Sequence, residues 1–263
     1  MPIIFFILGL IIGSFLNVVV YRLRVAEDFL GRSYCPHCKG KIAWYDNIPL
    51  ISFILLKFQC RKCKKKISWQ YPLVEALTGI VFALIGWKFF NLANEQSYLI
   101  TFYYLGIVSF LVTIFVYDWL YMEIPSLVLW IGGIWAIIFS IYFDLNKAEK
   151  ITSIFQLDVF SGILAAGVAF LFFFSLVYYS KERWMGMGDA LLVIFLGLFL
   201  GWPEILLALF LAFNLGAFFS IALLIFQRKT LKSQVPFGPF LVLGSILTIL
   251  FYGIITEWYF GLY

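Results

Sequence analysis

The sequence predicts an all-α, polytopic membrane protein of about eight transmembrane helices with one small extramembrane loop domain. Three observations carry this. The 263-residue chain is 63% hydrophobic and only 13% charged. Its apolar runs of ~18–22 residues match a ~30 Å hydrocarbon core at ~1.5 Å of helical rise per residue. All four of its cysteines lie in one polar stretch, in two Cys-x-x-Cys pairs. The apolar runs are continuous rather than alternating, which argues against a β-barrel.

The eight spans are placed at roughly 3–21, 73–90, 98–117, 126–143, 157–179, 189–201, 205–226 and 237–256. No basic residue precedes the first run, and Arg22 and Arg24 follow it. That is the reverse of a cleavable signal, so this span reads as an uncleaved anchor with its N-terminus outside. Pro125 falls in the first turn of the fourth span. The sixth is short, tilted or half-broken, and Pro203 starts the turn after it. "VPFGPF" (235–240) opens the eighth with two prolines and a glycine. No internal repeat, low-complexity tract or Gly/Ser linker is read. The chain thus divides into a first helix (1–21), a loop domain (22–72) and a membrane core (73–263).

Basic residues orient the spans. Of the 19 Lys and Arg, 11 lie between Arg22 and Lys66; Lys181 and Arg183 follow span five, and Arg228, Lys229 and Lys232 follow span seven. With eight spans these groups share one side, which the positive-inside rule makes cytoplasmic, in a multi-pass protein of the inner (cytoplasmic) membrane. The net charge of +5 is mostly this asymmetry. It reads as a basic face turned to lipid headgroups, with no nucleic-acid partner.

"CPHC" (Cys35, Cys38) and "CRKC" (Cys60, Cys63) are separated by 21 residues. Such knuckles bring four thiolates to the corners of a tetrahedron, the geometry of a closed structural zinc site. A reducing cytoplasmic loop disfavours the alternative, a pair of disulfides. A loop of ~50 residues buries too little apolar surface to fold alone, so the metal supplies much of its stability. His37, the single histidine, reads as an exposed knuckle residue. With one histidine there is no His-Glu-x-x-His metalloprotease motif and no Ser/His dyad within the membrane. A P-loop and a G-x-G-x-x-G are also absent from the sequence. The residues left for chemistry are carboxylates.

Most of the 14 acids fall in loops; those at the cytoplasmic edge of the spans are Glu75, Asp118, Glu123 and Asp189. An acid near lipid is a functional-site hypothesis by default. Asp118 ends span three and Asp189 opens span six, at one depth. Two aspartates a few ångströms apart share a proton, one serving as base toward water and the other as acid toward the carbonyl or leaving amine. Each also has a plainer reading. Asp189 would serve as the N-cap of span six, and Asp118 as a solvated acid in a tight loop. The glycines before Asp189, Gly186 and Gly188, let a substrate backbone approach. Pro236, Gly238 and Pro239 offer irregular backbone that could hold an unwound cut site, or simply start a helix. Glu75 either lines the same cavity or pairs with a basic residue.

"GSFLNVVVYRL" (13–23), the twin knuckles, "NIPLISF" (47–53), "ISWQYPLVEALTG" (67–79), Asp118 with Ile124-Pro125, "GMGD" (186–189) and "PFGPFL" (236–241) occur in this order. Together they resemble the type IV prepilin peptidase family over nearly the whole chain. The resemblance implies an aspartyl endopeptidase that removes the basic leader from prepilins or pseudopilins at the cytoplasmic membrane face. It implies Asp118 and Asp189 as the catalytic pair and the four cysteines as metal ligands. For many members it also implies N-methylation of the new N-terminus from S-adenosylmethionine. Leu191, Leu120 and Ser126 stand where the family commonly has a lysine, a second acid, and Asp or Asn. The other classes weighed are a small proton-coupled transporter and a non-catalytic assembly scaffold. Neither accounts for two aspartates at one face together with the knuckles.

Overall fold

A computed structural model of the chain describes residues 1–29, 31–147, 157–226 and 235–260. Its α-helices are α1 (Pro2–Val25), α2 (Ile51–Leu55), α3 (Gln70–Phe89), α4 (Glu95–Tyr121), α5 (Ser126–Lys147), α6 (Asp158–Ser180), α7 (Met187–Leu200), α8 (Glu204–Ile225) and α9 (Gly238–Phe260). Seven are long and apolar enough to cross a membrane, and α7 is a shorter apolar helix. These eight coincide with the eight expected spans, with ends shifted by up to about four residues. The chain is a multi-pass membrane protein. Arg228, Lys229 and Lys232, three of the residues bearing on orientation, lie outside the described residues.

The chain divides into two compact units, Met1–Thr113 and Ile114–Tyr263, with the boundary inside α4. In the first, α1 packs along α3 through Gly9 and Gly13. A methyl added at Gly9 would stand 2.7 Å from Gly79 Cα and from the Thr78 carbonyl oxygen; one at Gly13, 2.9 Å from Glu75 Cα. The two backbones touch, which only a small-xxx-small face allows. Asn17 adds a polar tie, donating to the carbonyls of Gly13 and Tyr71 at 3.2 Å each. Gly9→Leu is therefore expected to lower the thermal midpoint in detergent, with a cost at or beyond the upper end of the usual ~1–3 kcal/mol for overpacking. Gly167→Ala, where an added methyl meets open space, should leave it unchanged or raise it. An unchanged midpoint for Gly9→Leu would refute this packing.

Between α1 and α3 lies a lobe without strands among its described residues. α1 stops at Ala26, in the left-handed region (φ 53°). The buried Arg22 then holds the following turn by donating to the carbonyls of Phe29 (2.6 Å), Gly31 and Arg32 (both 3.3 Å). The two knuckles proved to be copies of each other, contrary to the expectation of no internal repeat. Tyr34 bridges Lys41 and Gln59 bridges Lys66. The N–H of Cys35 reaches the Gly40 carbonyl at 3.0 Å, and that of Cys60 the Lys65 carbonyl at 2.9 Å. Lys39 and Lys64 both take positive φ, 54° and 59°. Every pair is offset by 25 residues, as are "CPHCKGKIAW" and "CRKCKKKISW" in the sequence. A short 3-10 turn (Trp44–Asn47) and α2 join the copies. Phe53, Phe58 and Trp69 cluster there with ring centroids 4.8–5.5 Å apart, and Asp46 pairs with Arg61 at 2.6 Å. That guanidinium holds the Asp46 carboxyl below its ordinary range.

In the second unit α7 is the central helix. Its 14 residues cover only roughly 21 Å, too short for a ~30 Å hydrocarbon core. It packs against α5, α6, α8 and α9 instead. Ala190, Leu192, Val193, Phe195 and Leu196 are almost wholly buried. Close approach again rests on glycine, since a methyl on Gly197 would collide with the Ala166 backbone and one on Gly162 would stand 2.7 Å from the Leu198 carbonyl oxygen. Asp144, one residue past the expected end of the fourth span, is a buried residue of α5. It accepts the N–H groups of Asp158 (2.7 Å) and Val159 (3.0 Å) and so satisfies the free amides at the start of α6.

Candidate active site and metal centre

Asp118 sits in the last turn of α4, buried at 4% exposure. Just beyond it the chain leaves the helix at Met122, in the left-handed region (φ 54°). The Asp118 carboxylate accepts the backbone N–H of Gly238, the first residue of α9, and lies within the field of the Asp189 carboxylate. A methyl on Gly238 would collide with Asp118 Oδ2. Only glycine lets the start of α9 come this close to the acid.

Asp189 is not the N-cap of its helix. Gly186 occupies that position, and Asp189 is the third residue of α7, half-buried. Its carboxylate reaches back to the Gly186 N–H, the reciprocal half of a capping box. The plain capping role is therefore partly real, three positions further into the helix than expected. That bond uses only part of the carboxylate's acceptor capacity.

The remaining residues of the expected active-site loops gather around the pair. Gly186 caps α7 and Gly188 lies in its first turn; a methyl on Gly188 would touch Ile124 at 3.4 Å. The Ile124 side chain also stands 3.5 Å from the position of a methyl on Gly238. It thus fills the space between the two glycine turns, a packing role that only its place before Pro125 hinted at. Pro236 is half-buried and Pro239 buried, on either side of Gly238. The Phe237 ring between them packs on Phe213 at 5.1 Å and Phe173 at 6.3 Å, anchoring the turn. The arrangement offers two carboxylates within each other's field, each accepting a backbone N–H, beside the glycine backbone at 186, 188 and 238. Chemically this suits proton transfer to and from water and a bound amide.

Glu75 lies in the first unit, on α3, at 7% exposure. It has no basic partner among the described residues, contrary to one of its two expected roles. Its Oε2 accepts the Leu50 N–H at 2.9 Å, and Ser14 also hydrogen-bonds to it.

The ligand atoms of Cys35, Cys38, Cys60 and Cys63 all lie within 4.8 Å of one another, and none is in a disulfide. Cys35 Sγ and Cys63 Sγ are 3.9 Å apart. Thiolates ~2.3 Å from a tetrahedral metal stand roughly 3.8 Å from each other. The donor set fits a metal ion with four sulfurs and no open position. The Cys63 N–H, aided by that of Lys62, draws the Cys60 thiol down to about 7 against desolvation, while, against the Lys65 N–H, burial and the neighbouring cysteines push the Cys63 thiol up to about 11.

Residues 7–89 match the family model of the Bacterial Peptidase A24 N-terminal domain, and residues 105–221 that of the Type IV leader peptidase family. The chain is 34% identical to the Type 4 prepilin-like proteins leader peptide-processing enzyme of Escherichia coli O78:H11, over 95% of this chain and 93% of that one. It is 32% identical to a Prepilin leader peptidase/N-methyltransferase of Vibrio cholerae (93% and 94%) and 29% identical to that of Aeromonas hydrophila (97% and 92%). No solved structure matches the chain.

Proposed function

Because the chain belongs to the type IV leader peptidase family, we propose that Asp118 and Asp189 are the pair with which it cuts prepilin leader peptides. The observation that carries this is their juxtaposition at the ends of α4 and α7. One carboxylate takes a proton from water as the water oxygen attacks the scissile carbonyl; the other gives its proton to the leaving amine. The Gly238 N–H holds Asp118 in place, and the glycines at 186 and 188 leave room for an extended substrate backbone. The substrate is a prepilin or pseudopilin, with an apolar helix among the spans and its basic leader at the cytoplasmic edge.

The lobe binds structural zinc through Cys35, Cys38, Cys60 and Cys63, which closes the knuckles and takes no part in hydrolysis. Its lysines, with Trp44, Ile51, Ile54 and Leu55 exposed beside them, suit anionic headgroups on the cytoplasmic side. Nucleic acid is not a partner. After the cut the new N-terminus is N-methylated, as the relatives' names suggest, and the donor that we assign to this step is S-adenosylmethionine.

The test is incubation of the purified protein, in detergent with lipid, with a prepilin, with and without S-adenosylmethionine. Mass spectrometry should show loss of the leader in both cases and one added methyl only with the donor. An uncut prepilin would favour a transporter or scaffold. A cut pilin with an unmodified amine, donor in excess, would leave a peptidase alone.

A further inference from the structure

The segment that joins the two knuckles, Asn47 to Leu56, carries no charge between Asp46 and Lys57. Apolar stretches of roughly 10–14 residues are too short to span a bilayer and suit re-entrant or interfacial elements. Within this one, α2 divides by face. Ser52 and Phe53 are buried, whereas Ile51, Ile54 and Leu55 are 55%, 65% and 75% exposed. A helical stripe at i, i+3 and i+4 made only of large aliphatic side chains calls for a cover.

The register of α1 on α3 gives the depth of that stripe. Gly9 meets Gly79, Gly13 meets Glu75, and Asn17 reaches the Tyr71 carbonyl, so the two helices run antiparallel and in step. Arg22 closes the apolar stretch of α1. From Arg22 down to the level of Gly13 and Glu75 is about 13 Å of helical rise. The Glu75 side chain leans back toward the start of α3 by up to about one turn, roughly 5 Å. Its carboxylate thus stands on the order of 8 Å below Arg22. The Leu50 N–H is bonded to that carboxylate at 2.9 Å. The loop therefore returns to a depth at which Leu73 and Leu77 of α3 are already exposed on a membrane span.

We infer that residues 47–56 form a re-entrant segment, with Ile51, Ile54 and Leu55 in the hydrocarbon of the cytoplasmic leaflet and Glu75 as the buried acceptor that pins it there. This rests on, and deepens, the reading of the lobe as an element that faces headgroups on the cytoplasmic side. Non-helical backbone persists at such a depth only where protein satisfies its polar groups. The N–H groups of Ser52, Ile54, Leu56 and Phe58 bond to carbonyls between Ile48 and Phe53, and Ser52 Oγ donates to the carbonyls of Ile48 and Tyr45. Leu50 turns the chain into α2 with φ 58°, and its amide is directed out of the segment, to Glu75. The Phe53, Phe58 and Trp69 cluster falls near the boundary, where aromatic rings collect. Lys57, exposed where the segment ends, has the reach to carry its ammonium up to anionic headgroups.

The test uses the full chain, with all four cysteines, in vesicles of phosphatidylethanolamine and phosphatidylglycerol. A ketone-bearing phenylalanine analogue is placed in turn at Ile54, Leu77 and Lys62 and takes a nitroxide that spares the thiols. Collisions with dissolved oxygen and with a water-soluble nickel chelate are then measured by power saturation. The label at Ile54 should match that at Leu77 to within about twofold and meet nickel at least ~10-fold less than that at Lys62, because a polar chelate does not enter hydrocarbon. Nickel access at Ile54 equal to that at Lys62 would put the stripe in water and overturn the proposal. Low access to both reagents would mean that protein covers it, a second copy or a pilin helix, and would overturn it equally. Orientation is read separately, from an impermeant chromium complex added outside sealed inverted vesicles, which should broaden the Lys62 signal. Broadening only in right-side-out vesicles would end the cytoplasmic reading while leaving the depth at Ile54 standing. Hydrogen exchange tests the pin. Glu75→Leu should speed exchange of the amides from Leu50 to Leu56 at least ~10-fold, whereas Glu75→Gln, which still accepts from Leu50, should stay within about threefold of wild type. Unchanged protection in a well-folded Glu75→Leu would overturn the role of the acid.

Discussion

Asp118→Asn and Asp189→Asn should each reduce prepilin cleavage at least ~10³-fold while leaving the protein folded and monodisperse in detergent. Asparagine keeps the shape of either side chain and can still accept the amide each one holds, Gly238 N–H at Asp118 and Gly186 N–H at Asp189. What it cannot do is exchange the proton. For Asp189 this separates two roles present in the same side chain. If its whole value lay in bonding back to Gly186, Asn would serve nearly as well, because the two are comparable in satisfying free amides at a helix start. The double variant should be little worse than either single one, since groups that act as a unit are strongly non-additive. Gly238→Ala tests the same geometry from the backbone side. Its methyl collides with Asp118 Oδ2, so cleavage should fall although both acids remain. Near-normal cleavage by a well-folded Asp189→Asn would return that residue to a structural role and end the proposal of an aspartate pair.

The spans were legible because the bilayer imposes a length on every helix that crosses it, and hydropathy reads that length directly. Even the short sixth span stood out. What the sequence could not say is that α7 is short because other helices of its unit sheath it. The ends of α1 and α4 overran their apolar runs by a turn, since a helix continues into the interface after its side chains turn polar. Asp118 and Asp189 were legible from depth, as acids at the same edge of two spans. Gly238 was visible only as part of a turn. A backbone N–H has no side-chain signature, and 119 positions separate it from the acid preceding it in the chain's third span. The register of Asp189 was misread by one role: the helix starts two residues earlier than the apolar run, so the acid closes the first turn instead of capping it. The repeat in the lobe was in plain view, because "CxxCKxKIxW" occurs twice. It was missed because the cysteines alone account for metal binding, and neither copy has the apolar periodicity that marks a helix or strand. Asp144 shows the converse error, a charge left one residue past its span because nothing in its neighbours revealed the helix start it satisfies.

The repeat gives the cysteine variants a definite pattern. Each knuckle contributes one thiolate from a first position, Cys35 or Cys60, and one from a second, Cys38 or Cys63, and all four lie within 4.8 Å of one another. Removing any one leaves three ligands. A structural zinc site then loses much of an affinity that reaches about 10–16 kcal/mol in small folded metal peptides. The expected result is that wild type purifies with one zinc per chain by elemental analysis, while Cys35→Ser and Cys60→Ser both purify with almost none. Because the copies share their bridges, turn amides and positive-φ lysines, the two substitutions should be equivalent, as should Cys38→Ser and Cys63→Ser. Limited proteolysis should then cut the lobe between α1 and α3, whose cluster of Phe53, Phe58 and Trp69 is too small to hold it unaided. Leader cleavage should fall far less than in either aspartate variant, because Asp118, Asp189 and Gly238 belong to the other unit. A wild-type protein that purifies without metal and still resists the protease would show that packing and hydrogen bonds alone hold the knuckles, and the structural zinc would have to be given up.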